Sequence, residues 1–115
     1  MNNNLNSRII MLVNNSPFLE TFGDYFLHLD QCQTVSEIFE RVFVNVAARI
    51  GVRWQMVYHA KSNDPVLLAE KIVALILIRK SVMENFNYSE TDVEKLFGQE
   101  SYYLVENYFD TLIKK

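Results

Sequence analysis

A single cysteine, Cys32, occurs in the chain, so no intrachain disulfide can brace it and the core must hold the fold unaided. Turn-formers are scarce as well. Three glycines and two prolines are few for a protein of short strands and tight turns, and many of the other residues are good helix formers. An all-α fold is therefore expected. Long hydrophobic runs are absent too: the most apolar stretch, Ile72 to Ile78, spans seven residues behind Glu70 and Lys71. A bilayer requires roughly 20, so this run reads as core and no membrane partner is expected. No basic start followed by an apolar segment marks a secretory signal, and together with the lone thiol this predicts a cytoplasmic, reducing location. The chain also lacks a glycine-rich phosphate loop and a paired-carboxylate motif, so neither an enzyme nor a cofactor is expected.

Excess positive charge is the remaining absence. The net charge is -3, which offers no general attraction to phosphate. Residues 1–86 are balanced, with eight basic and eight acidic side chains. The segment 87–115 sets three lysines (Lys95, Lys114, Lys115) against six acids (Glu90, Asp92, Glu94, Glu100, Glu106, Asp110). The deficit of positive charge is thus local to the C-terminal quarter.

What is present suits one helical core. Half of the 115 residues are apolar, eight of them Phe and six Tyr, enough for one domain and too few residues for two. The opening MNNNLN is polar and reads as a frayed tail, whereas RIIMLV at 8–13 is apolar but too short for its periodicity to choose between helix and strand. Ser16 and Pro17 can start a helix reaching Leu29, with Phe18, Phe22, Phe26 and Leu29 at helical spacing. Thr34 with Glu37 three residues later forms a capping-box pattern, predicting a helix to Arg49 or Ile50 that Gly51 terminates. Val52 to Lys61 reads as a connector. Asp64 and Pro65 cap the longest helix, from about 65 to 86, apolar on nearly every face and so the expected central element. Ser89 with Asp92 opens a brief helix to about Leu96, Gly98 stops it, and Gln99, Glu100 and Ser101 are expected to link it to a final helix from Tyr102. A short helix, a turn containing glycine and a second helix make a helix-turn-helix pattern. The whole predicts an orthogonal helical bundle with a long central helix and a C-terminal helix-turn-helix. Residues 1–33 form an N-terminal arm with one helix, and 34–115 form the helix-turn-helix unit.

Three pieces in order resemble the C-terminal, DNA-binding domain (domain IV) of the bacterial replication initiator DnaA, which has a Trp repressor-like fold. They are the helix ending in Ile50, Gly51 and Val52, the connector with AKS at 60–62 before the long helix, and YSETDVEKLFG at 88–98. In the last, Ser89 stands at the cap, Val93 at the apolar position, and Phe97 and Gly98 at the family's Phe-Gly. The resemblance implies double-stranded DNA as partner and a role in replication or transcription regulation. On it, Ser101, Tyr102 and Tyr103 would enter the major groove, with Arg53, Lys61 and Lys95 on phosphates. The base-reading stretch departs from the family, however. Glu100 replaces its Arg, Ser101 its Asp and Tyr102 its His, while Tyr103 and Leu104 replace two hydroxyl residues. A carboxylate in place of a guanidinium faces acceptor atoms and phosphate, so recognition of the family's own target should be lost. The alternative is a degenerate helix-turn-helix that contacts protein, either another partner or a second copy, through its aromatic last helix.

Other candidates weigh less. Asp24, His28 and Cys32 are spaced four apart, but no fourth ligand lies nearby and a structural thiol is the expected reading. His59 has no such company. On the last helix Leu104, Val105, Tyr108, Phe109 and Leu112 share one broad arc with Tyr102 at its edge, whereas Tyr103 falls among polar residues and is expected to be wet. Arg49, Arg79 and Lys80 are further candidates for phosphate contact, although scattered basic residues on helix surfaces are usually just solvated.

Overall fold

The computed structural model describes residues 2–16, 32–61 and 63–113, and side chains from 7 to 107 within them. All regular structure among these residues is helical: α1 (Asn2–Asn14), α2 (Val35–Arg49), α3 (Trp54–Tyr58), α4 (Pro65–Asn85), α5 (Glu90–Phe97) and α6 (Gln99–Ile113). The expected helix from Pro17 to Leu29 lies outside the described residues, as do Asp24 and His28.

The centre of the fold is α4. Twelve of its residues are buried, on every side of the helix, including the whole run Ile72 to Ile78. A helix with apolar residues all round must be covered all round, and each of the other five helices packs against it. Its start is set as the sequence predicts, with Pro65 in the first turn and the Asp64 carboxylate accepting from the Leu67 N–H at 3.2 Å.

Helix α2 lays Ile38, Val42, Phe43, Val46 and Ala47 on α4. Thr34 caps it, its hydroxyl accepting from the Glu37 N–H at 3.1 Å, but Glu37 accepts from the Gln33 N–H rather than returning to Thr34. The capping box is therefore half formed and displaced by one residue. Gly51, at φ +70°, supplies the left-handed turn that lets the chain leave the helix.

Three expectations need correction. The Asn-rich opening is not a frayed tail: residues 2–14 are helical, with Ile9 and Val13 buried in the same core as α2 and α4. Four residues apart, these two share a face, and their docking on α4 supplies order that the polar sequence does not encode. The connector is not wholly irregular, since Trp54–Tyr58 form the short helix α3, anchored by Val57, which is fully buried. And Gln99, Glu100 and Ser101 are not a linker but the first turn of α6, whose ladder opens with the Tyr102 N–H donating to the Gly98 carbonyl. Gly98 alone, at φ +83°, forms the joint between α5 and α6.

The reciprocal box expected at α5 is complete. Ser89 accepts from the Asp92 N–H at 3.2 Å and the Asp92 carboxylate accepts from the Ser89 N–H at 2.9 Å. These bonds, first the one from the backbone, hold the Asp92 carboxyl below its ordinary pKa. Val93 and Val105 then anchor the helix pair to the core.

Candidate functional site

The six residues singled out from the sequence fall into two groups. Lys61, Ser101 and Tyr103 line one groove between the segment 58–61 and the first turns of α6. Arg53 occupies the N-cap position of α3 without a side-chain capping bond and Lys95 lies in the last turn of α5, both exposed and neither lining that groove. Tyr102 also turns elsewhere: its ring lies beneath the Arg79 guanidinium, 5.9 Å from it.

The groove comprises two adjoining hollows of about 260 and 670 Å³. One wall is Tyr58, His59, Ala60 and Lys61; the other is Phe97, Glu100, Ser101, Tyr103, Leu104 and Asn107. Its floor is Phe39 and Phe43 of α2 and Leu68, Lys71 and Leu75 of α4. Beneath it lies an aromatic cluster in which Phe43 stacks on Phe39 at 5.3 Å and Tyr58 meets Phe43 edge-on at 5.5 Å. Phe97 joins through Phe39 at 6.2 Å. The cluster fixes α3 and the end of α5 to α2, and so fixes both walls.

Charge in the groove is mixed. The Lys71 ammonium sits 6.0 Å from the Tyr58 ring centre. Desolvation lowers its pKa from the usual lysine value, and the nearby Glu100 carboxylate acts in the opposite sense. Lys61 stands exposed on one wall and Glu100 on the other. Tyr103, half exposed at 50%, is among the most exposed large hydrophobic side chains of the described residues, with Met11, Met56, Val44, Tyr58, Val66 and Trp54.

Around the helix pair the balance is acidic. Among its described side chains, Glu90, Asp92, Glu94, Glu100 and Glu106 face a single cation, Lys95. Arg79, a candidate for phosphate contact, is largely covered, donates to Glu106 and lies 3.6 Å from Glu90. Lys80 pairs with Glu84 at 4.0 Å one turn along α4. Tyr102, partly desolvated and next to Glu106 and Glu90, holds its phenol proton above the usual pKa.

Sequence reasoning missed two residues. Glu70 lies on α4 with only 4% of its surface exposed; its Oε1 accepts from Arg49 at the end of α2, and its Oε2 has no hydrogen-bond partner among the described residues. An acid inside a helix buried all round was the available signal, since such a group calls for a cationic partner, here Arg49. Lys71 was missed because its place on the groove floor follows from how α3 and α6 flank α4. Cys32 is buried, as expected of a structural thiol, and no group of three metal-ligating side chains occurs among the described residues. None of the described helices is long and apolar enough to cross a membrane.

No protein-family model matches the chain, and neither a curated protein nor a solved structure is detectably similar to it.

Proposed function

We propose that the chain is a regulatory or accessory module with the helix-turn-helix architecture it resembles in the DnaA C-terminal domain, and that its last two helices meet protein rather than DNA. One observation carries this reading. Where the resemblance places base-reading side chains, the first turns of α6 carry Glu100, Ser101 and an exposed Tyr103, and the pair α5–α6 is acidic among its described side chains. Affinity for duplex DNA comes chiefly from cations that release counterions from phosphate. Here Arg79 is already engaged by Glu106 and Glu90, so it cannot supply that contact without abandoning two carboxylates. An exposed tyrosine among acids fits the composition of protein interfaces, where tyrosine is enriched.

A specific observation also supports the rival reading, duplex recognition with altered specificity. Lys61 lines the same groove as Ser101 and Tyr103, so one exposed cation able to contact phosphate stands near the residues that the resemblance assigns to base reading. Titration of a mixed-sequence duplex at low salt separates the two. Our reading expects no saturable binding even where a few phosphate contacts would suffice. Saturable binding that weakens with salt by a log–log slope of about -0.9 per phosphate contact, and that Lys61→Ala diminishes, would establish the rival.

A further inference from the structure

We infer that the occupant of the groove is a second copy of this chain, docked about a two-fold axis so that Tyr103 of each copy enters the groove of the other. This rests on the protein-contact reading above and adds the identity of the partner.

The argument is one of self-complementarity. The walls carry opposite charges, Lys61 on the segment that follows α3 and Glu100 on α6, with Lys71 on the floor near Glu100 and partly desolvated. A partner of uniform charge gains on one wall and is repelled on the other. A second copy related by a two-fold axis exchanges the walls, so that each Lys61 meets the other copy's Glu100, and both contacts are formed at once. The same operation brings the two Tyr103 side chains to opposite grooves. Tyr103 is half exposed on the rim, and the hollow beside it, about 670 Å³ with Leu68 and Leu104 in its lining, has room for a phenol ring. A tyrosine buries about 150–250 Å² on enclosure, which makes it a fitting anchor at the centre of such a contact.

Sedimentation equilibrium of the full chain across the micromolar range tests this directly. The wild type should reach twice the monomer mass, and Tyr103→Glu, Lys61→Glu and Glu100→Lys should each weaken association by about tenfold or more. All three positions are exposed or on the groove rim, and circular dichroism verifies that the variants retain their helices. The decisive sample is an equimolar mixture of Lys61→Glu and Glu100→Lys. Two-fold pairing opposes unlike charges at both contacts only in the mixed dimer, so the mixture should associate although each variant alone does so poorly. A wild type that stays monomeric throughout overturns the inference, as does a dimer indifferent to all three substitutions or a mixture no better than its components. If the monomeric chain instead binds a different protein through Tyr103, the second copy is excluded while the protein-contact reading stands. Saturable duplex binding at the groove would remove both.

Discussion

Arg49→Ala should destabilise the protein by about 2–4 kcal/mol, a large loss for a side chain whose head is partly in water. The reason lies in its partner. The Glu70 side chain is 5% exposed and that of Arg49 36%, and the guanidinium donates to one carboxylate oxygen while the other has no partner among the described residues. Removing the arginine leaves a carboxylate that must stay charged without a counterion or take up a proton. Breaking a fully buried pair costs about 3–5 kcal/mol, and the partial exposure of Arg49 reduces this by admitting water. Joint replacement by Met at 49 and Leu at 70 should restore most of the loss, because two apolar groups carry no desolvation penalty. Urea unfolding reads both outcomes. A single variant within about 0.5 kcal/mol of wild type would show that the pair is energetically idle.

Phe43→Ala is expected to cost about 3–5 kcal/mol, the usual range for truncating a buried phenylalanine. Phe43 is 1% exposed and joins α2, α3 and α4 by stacking on Phe39, meeting Tyr58 edge-on and packing in the core with Leu75. Small domains have about 5–15 kcal/mol in all, so this one change removes a large share. Its consequence reaches the groove, because the same cluster sets the separation of the walls. Val44, one residue on and 42% exposed, is the control, and truncating it to Ala should change the unfolding midpoint little. Comparable losses at 43 and 44 would contradict the assigned face of α2.

Much of this architecture is written locally. Thr34, Asp64 and Ser89 mark three helix starts with side chains that accept from the third amide onward, and Gly51 and Gly98 mark two exits that need positive φ. The all-round apolar pattern of 68–82 required a central helix, because such a segment has no face to present to water. Where the reading failed, the determinant was tertiary. The Asn-rich start is weak by propensity, and its helix depends on Ile9 and Val13 docking in the core. Five residues are too few for α3 to show a period, so only the burial of Val57 and the aromatic contacts of Tyr58 define it. The linker expected at 99–101 came from assuming a turn of several residues, whereas one glycine suffices when the next carbonyl ladder starts from it.

The site was legible to the same extent. Spacing along α6 placed Tyr103 on the wet side, and it is half exposed. Lys61, Ser101 and Tyr103, far apart in sequence, line one groove, whereas Arg53, Lys95 and Tyr102 do not. The engagement of Arg79 by Glu90 and Glu106 could not be read in advance, since Glu106 lies 27 positions along the chain and neither carboxylate belongs to the helix that carries the arginine. That pairing is what turns a candidate phosphate contact into part of an internal charge network.

Backbone amide exchange of the full chain, measured dilute, concentrated, and dilute with excess mixed-sequence duplex, tests the central claim most directly. If the groove is a protein-contact surface whose occupant is a second copy, amides near Lys61 and in the first turns of α6 gain protection on concentration and are unchanged by the duplex. Protection of those same amides by the duplex, with no effect of concentration, would contradict the account.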